Sequence, residues 1–273
     1  MTRASEEPAL DPALGMRVPY RVRFDEATPS GTVRASTLLR YAQDVAWIHS
    51  DRLGFDRSWY ADRGLTWLVR SALVVVESPV LSGDALDVET RITGYRRAWA
   101  RRRTSFLDAA GGRTAWAYTD WVIVDRRGRP TRVPEAIATL SAEPPPSFDP
   151  IRVPSSDAPA TAVAIDTRVR RSDLDPLGHV NNAAYLDLLE EAVAALPDCA
   201  TWLDAMPRAY RIEYLQAAEP GDRLRAQLWP IGDPRPDVHA AGTAGPSGAR
   251  YRLATDAGVE LARATLVLDA PTG

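Results

Sequence analysis

Two stretches of this chain repeat one another without a gap, and that duplication restricts its fold more than any other feature of the sequence. Residues 23–46 (RFDEATPSGTVRASTLLRYAQDVA) align with residues 170–193 (RRSDLDPLGHVNNAAYLDLLEEAV). The alignment sets Arg23 on Arg170, Pro29 on Pro176, Gly31 on Gly178, Val33 on Val180 and Leu39 on Leu186, at a constant offset of 147. Each copy reads as a strand, a Pro-x-Gly turn and a helix. Residues 71–90 and 209–228 form a second pair, with Gly83-Asp84 and Gly221-Asp222 at an offset of 138. A β-rich run, a Gly-Asp turn and a further alternating run predict a hairpin in each. A third hairpin is predicted to turn at Gly111-Gly112 within residues 102–125, and near Gly258 within residues 250–269. Each half therefore reads as a strand, a helix and about four antiparallel strands.

The organisation follows. Residues 1–15 read as a flexible tail, 16–140 as the first copy, 141–162 as a proline-rich linker and 163–273 as the second copy. The linker opens with SAEPPPSFDPIRVPSS, whose prolines exclude a continuous helix or a central strand. Residues 230–250 read as a mobile loop inside the second copy. Leu38, Leu39, Ala42, Ala46 and His49 recur at helical spacing in the first copy, as do Tyr185, Leu188, Leu189 and Ala192 in the second. One helix cannot bury such a stripe alone, whereas a curved antiparallel sheet can wrap it. The expected class is α+β, a double hotdog, with the two sheets paired edge to edge to protect their edge strands. Such a chain is a pseudo-dimer, as a monomer or as a homodimer.

Composition excludes several functions. No stretch approaches the ~18 consecutive apolar residues of a membrane span, and the polar N-terminus reads as neither secretory signal nor transit peptide. The single cysteine, Cys199, rules out a disulfide framework and points to a reducing cytoplasm. Thirty-three basic residues stand against 36 acidic ones, so no general attraction to nucleic acid is expected. Every basic residue is arginine, which excludes a lysine Schiff base or a phosphate-binding lysine loop. His49, His179 and His239 show no ligand spacing, so neither a metal nor another cofactor is expected.

The two copies differ inside the turn. Thr28 stands where the second copy has Asp175, Thr32 at His179, Arg34 at Asn181 and Ala35 at Asn182. The residues that shape the turn are common to both; those able to move a proton occur only in the second. The chain's only two asparagines are the adjacent pair Asn181-Asn182.

The run Asp-x-x-Gly-His-Val-Asn-Asn-x-x-Tyr, opening a helix that ends in glutamate, resembles the signature of hotdog-fold thioesterases. The tandem layout, over roughly residues 17–269, resembles more closely the acyl-[acyl-carrier-protein] thioesterases of bacteria and plants. Supporting stretches are residues 38–54, Trp67-Leu68-Val69-Arg70 and Arg211-Ile212-Glu213-Tyr214. The resemblance implies hydrolysis of fatty acyl thioesters of acyl carrier protein or coenzyme A, releasing free fatty acid. It also implies catalysis in the second half and an acyl pocket supplied mainly by the first. By motif position Asp175 matches the family's acidic residue, His179 its histidine and Glu191 its helical glutamate. The plant pattern has asparagine where Leu177 stands, and a Glu-Cys pair where Ala217-Ala218 stand. What remains is closer to a bacterial pattern in which one carboxylate does most of the work.

Thioester hydrolysis needs an activated water or a nucleophile, and donors for the developing oxyanion. Asp175 is the candidate base or nucleophile, with His179 and Asn181 orienting the water or the carboxylate and Glu191 assisting. Backbone N–H groups at the helix start, Val180 and Asn182, are the candidate oxyanion donors. Trp47, Trp67 and Tyr185 are candidate substrate-binding residues. Arg101 and Arg102, within an arginine run, are the candidate dock for an acidic carrier protein. Two rival readings are a hotdog enoyl-thioester hydratase, which spaces its acid and histidine by five residues rather than four, and a non-catalytic acyl-carrier binding protein.

Overall fold

The computed structural model describes residues 11–140, 145–196, 199–231 and 248–268. The first half runs β1 (Gly15–Arg21), α1 (Ala35–Arg52), α2 (Arg57–Arg63), β2 (Leu65–Val76), β3 (Ala85–Arg96), β4 (Trp99–Leu107), β5 (Arg113–Asp125) and a short α3 (Glu135–Ala138). The second runs β6 (Val163–Arg168), α4 (Ala184–Ala194), β7 (Arg208–Tyr214), β8 (Arg223–Pro230), β9 (Gly248–Thr255) and β10 (Glu260–Leu268). All ten strands form one antiparallel sheet in the order β1-β3-β4-β5-β2-β7-β10-β9-β8-β6. The order reads the same from either edge once the halves are exchanged. This is the double hotdog.

The seam between the halves is the β2–β7 ladder, from Ser71 opposite Glu213 to Val76 opposite Arg208. Ala72, Val74, Tyr210 and Ile212 are buried along it, so joining the sheets removes two edges and extends one core. The helical stripes fall as their spacing requires. Leu38, Leu39, Ala42, Ala46 and His49 of α1 are buried, and so are Tyr185, Leu188, Leu189 and Ala192 of α4. Each leucine among them contributes about 1.5–3 kcal/mol when fully buried. The helices lie against one another and are tied by an ion pair, Arg40 Nη2 to Asp187 Oδ2 at 2.6 Å. Among the described residues no helix is long and apolar enough to cross a membrane.

Two predicted hairpins are not hairpins. β2 lies between β5 and β7, and β3 between β1 and β4, so residues 71–90 join strands that never pair. β7 and β8 are separated in the same way. The Gly-Asp turns do exist, but their partner is the preceding strand's end: Val22 N–H donates to Asp84 O and Val169 N–H to Asp222 O, each at 2.9 Å. A local turn signal reports a chain reversal without naming the strand it meets. The hairpins at Gly111-Gly112 and Gly258 do join neighbours, β4–β5 and β9–β10.

Between the halves, residues 145–162 carry no helix or strand, and their first part straps across the outer face of the sheet. Tyr95 N–H donates to Pro146 O, and Ile151 N–H to Asp120 Oδ2 at 2.7 Å. Arg152 Nη1 meets Glu213 Oε1 at 2.6 Å, across the seam. Gly94 permits this approach, because a Cβ there would sit 2.9 Å from Pro146 O and closer still to the Phe148 ring. The described end of the expected tail is also engaged. Pro12 O lies 3.1 Å from His49 Nε2, and Leu14 O accepts from Ile92 N–H. The loop expected at residues 230–250 lies mostly outside the described residues.

Candidate active site

The two Pro-x-Gly turns are built by the same backbone bonds. In the first, Thr28 N–H donates to Thr32 O at 2.7 Å and Gly31 N–H to Thr28 O at 2.9 Å. In the second, Asp175 N–H donates to His179 O at 2.8 Å and Gly178 N–H to Asp175 O at 2.9 Å. Gly31 and Gly178 take the same left-handed conformation, φ 85° and 81°, which a side chain would resist. Even the approach is duplicated: Arg23 N–H is held by the Glu26 carboxylate and Arg170 N–H by that of Asp173, both at 2.7 Å.

The side chains differ. In the first turn Thr28, Ser30 and Thr32 hydroxyls bond one another, and Ser30 Oγ donates to Asp204 Oδ1 at 2.7 Å. In the second, Asp175 Oδ1 accepts from Leu177 N–H at 2.8 Å and from His179 N–H at 3.3 Å. Among the described residues its other oxygen, Oδ2, makes no hydrogen bond. One carboxylate oxygen is held by the turn and the other is left for something else.

The helix starts differ too. In the first half Val33 N–H donates to Val80 O at 2.8 Å, and Ala35 N–H to Glu190 Oε1 at 3.3 Å. Their counterparts, Val180 N–H and Asn182 N–H, have no acceptor among the described residues. The loop that seals the first turn, through Ser82 N–H to Gly31 O, makes no such bond to the second. The donors expected for an oxyanion are closed in one copy and open in the other.

A cavity of about 200 Å³ lies where these groups meet; Asp175, His179, Val180, Asn182 and Tyr185 line it from the second half. From the first half come Gln43 and Trp47 of α1, Trp67 and Arg70 of β2, and Trp121 of β5. The site is thus shared between copies, because α1 and α4 pack together and each presents its middle to the other's turn. Arg70 is half-buried, with its Nη1 donating to Leu215 O at 3.1 Å, and burial lowers its affinity for a proton.

The predicted residues sort unevenly. Asp175 and His179 share the cavity, and His179 is otherwise exposed. Asn181 lies in an adjoining cavity that Asp175, Leu177 and Gln43 also line, and its Oδ1 accepts from Ala183 N–H at 2.9 Å just before α4. Asn182, expected only through its backbone, also lends its side chain, with Nδ2 3.3 Å from Gln43 Oε1. Glu191 is exposed on the far side of α4 and lines no part of the cavity, a correction. The helical register turns its neighbour Glu190 inward instead, toward the first turn, where it meets Tyr210 and the buried Arg208. Burial there pushes the Glu190 carboxyl up. Tyr185 is buried, takes a hydrogen bond from Ala218 N–H at 3.0 Å and packs edge-on against Tyr214.

Trp47, Trp67 and Trp121 form a wall common to this cavity and to a second, inner one beneath α1. The carrier dock at Arg101 and Arg102 is not formed. Strand alternation puts Arg101 outside, bidentate on Asp120 at 2.6 and 2.8 Å and covered by the strap's Phe148. It puts Arg102 inside, lining the inner cavity. Neither guanidinium is offered to a carrier protein. Sequence reasoning missed Gln43 and Arg70; the repeat offsets pair them with Glu190 and Arg208, a signal already available in the alignment. Among the described residues no three His, Cys, Asp or Glu side chains cluster as metal ligands would.

Comparison with known proteins gives one consistent result. An oleoyl-acyl carrier protein thioesterase from Arabidopsis thaliana is 24% identical over 199 residues, covering 66% of this chain and 55% of the plant protein, so the match spans little more than half of that relative. A Lactobacillus plantarum protein described as an oleoyl thioesterase superposes with a TM-score of 0.77 at 20% identity, covering 94% of this chain and 97% of the other. A 12:0-ACP thioesterase from Umbellularia californica gives 0.72 at 21%, covering 93% and 96%. Residues 15–140 match the acyl-ACP thioesterase N-terminal domain and residues 157–265 the C-terminal domain of the same family. With both of its hotdogs matched in order, the chain belongs to the acyl-ACP thioesterase family.

Proposed function

We propose that this chain hydrolyses fatty acyl thioesters of acyl carrier protein to a free fatty acid and the carrier thiol. The observation that carries this reading is a pair of N–H groups, Val180 and Asn182, that have no acceptor among the described residues, lining one cavity with Asp175, whose Oδ2 is likewise unengaged among them. The same positions in the first copy are capped. In the proposed reaction Asp175 Oδ2 takes a proton from water as the oxygen adds to the thioester carbonyl. The oxyanion so formed is held by Val180 and Asn182 N–H. Collapse of the tetrahedral intermediate breaks the C–S bond, and the thiolate leaves as the thiol with the proton Asp175 collected. A positioned base is worth ~10²–10⁴-fold and each oxyanion donor ~10²–10³-fold.

On this reading the second half supplies the chemistry, while the first supplies the acyl wall of Trp47, Trp67 and Trp121. His179 sits where it can orient the water. The halves join across residues 141–162. The test is release of free thiol from acyl-carrier substrates. Asp175→Asn should fold normally and lose at least ~10²-fold in kcat; a variant retaining wild-type turnover would remove Asp175 from the mechanism. A single turnover in ¹⁸O-water distinguishes base from nucleophile, since label in the Asp175 side chain requires a transient anhydride.

A further inference from the structure

The inner cavity beneath α1 has a polar floor in otherwise apolar surroundings. Its walls include Trp47, Leu53, Trp67, Ile92 and Trp121. Into it β4 also places Arg102, whose Nη1 lies 3.1 Å from His49 Nδ1. His49 cannot balance that charge. Its Nε2 faces Pro12 O at 3.1 Å, and burial together with the Arg102 guanidinium lowers its pKa to about 4, so at neutral pH it accepts as a neutral ring. Arg102 is itself brought down to about 10 by burial and remains a cation.

Three other arginines of this sheet are matched by acids. Arg17 meets Glu89 at 2.6 Å, Arg101 meets Asp120 at 2.6 Å and Arg113 meets Glu77 at 2.8 Å. Arg102 has no carboxylate partner among the described residues, and no Asp or Glu lines its cavity. Tyr95 lines the same space, and its hydroxyl, buried and next to the guanidinium, has no hydrogen-bond partner among the described residues. Tyr60 and Ser50 hydroxyls bond each other at 3.0 Å close by. The floor therefore holds a cation and an unpaired hydroxyl but no anion among the described residues. An unbalanced cation and an unpaired hydroxyl in an apolar cavity are unfavourable unless something with acceptor oxygens meets them.

We propose that the inner cavity receives the far end of the acyl chain and that this end carries a carboxylate, held by Arg102 and Tyr95. The preferred substrate is then an ω-carboxyacyl thioester rather than a plain alkyl one. This deepens the hydrolase reading and rests on it, since the chain must run from Asp175 past Trp47, Trp67 and Trp121 to reach the floor. Arg102 and Tyr95 lie outside the reacting atoms and act on selectivity alone.

The test uses matched pairs of non-hydrolysable thioether analogues on acyl carrier protein, ω-carboxyacyl against alkyl at each length from six to twelve carbons, with binding read by calorimetry. At the best length the wild-type protein should bind the carboxylate analogue about 10–100-fold more tightly, the worth of a charge-assisted pair. Arg102→Met should abolish or reverse the preference, Arg102→Lys should keep part of it, and Tyr95→Phe should weaken it several-fold. Alkyl analogues binding as well or better at every length overturn the proposal, as does a preference that survives Arg102→Met. Should Arg102→Met fail to fold, the wild-type pairs and Tyr95→Phe decide alone. Cleavage of both substrate series without preference defeats only this inference. Binding of the carboxylate analogue without cleavage of any thioester defeats the hydrolase reading instead.

Discussion

The turns at residues 28–33 and 175–180 share a backbone and differ in what surrounds it. Around the first, Val80 O and the Glu190 carboxylate cap the two N–H groups at the helix start, and Asp204 engages the threonine–serine hydroxyls. Around the second, the corresponding N–H groups have no acceptor among the described residues, and Gln43 stands where Glu190 stands in the other copy. A duplicated scaffold has thus been filled in at one site and left open at the other. The turn alone is not the site. A carboxylate in the turn matters only where the neighbouring loop and the opposite helix leave donors unsatisfied beside it.

That contrast can be broken most sharply at its centre. Asp175→Asn should cost ~10²–10⁴-fold in kcat, whereas Thr28→Ala should leave the chemical step unchanged; thiol release under saturating substrate compares them. A large loss in the Thr28 variant with normal folding would assign the chemistry to the wrong half.

The next largest effect concerns the filled site. Removing Arg208 leaves the buried Glu190 without its cation, and Arg208→Met should lower unfolding stability by about 3 kcal/mol. Glu190 already has a raised pKa through burial. The loss should therefore grow as pH rises and the carboxyl gives up its proton; urea titrations across a pH series test the sign.

Making the open site resemble the filled one gives a smaller but more specific change. Gln43→Glu should set a carboxylate against Asn182 and lower kcat about 10–100-fold while the protein folds normally. An unaltered kcat would show that Gln43 does not border the reacting carbonyl.

The mildest effect is a pH dependence from the first half. His49 has a pKa lowered to about 4 by burial and by Arg102, so between roughly pH 6.5 and 4 the unfolded chain binds a proton that the folded one does not. Stability should fall with pH across that window, by about 1 kcal/mol between pH 7 and 5 once solvent screening is allowed for. His49→Gln should remove that component, which thermal melts at the two pH values would register.

The repeat made the tandem architecture legible, together with the turn geometry, the helical stripes and the placing of Asp175 and His179 in one motif. Other roles were hidden for stateable reasons. Asn181 and Asn182 are adjacent and chemically identical, and only the backbone before α4 decides that they face two adjoining cavities. Glu190 and Glu191 differ by a 100° rotation about one helix. Arg101 and Arg102 differ by one step of strand alternation, which sends one outward under the strap and the other into the inner cavity.

By itself the sequence determined that two copies of one unit exist and that only one carries proton-moving groups, because periodicity and spacing are local and survive duplication. The tertiary structure decided which strands pair and which N–H groups stay open, and it drew the cavity from α1 as much as from the second turn. Those outcomes depend on contacts between residues more than a hundred positions apart, such as Gln43 with Asn182 and Ala35 with Glu190. No local pattern encodes a partner at that distance; the packing of the two helices across the β2–β7 seam selects it.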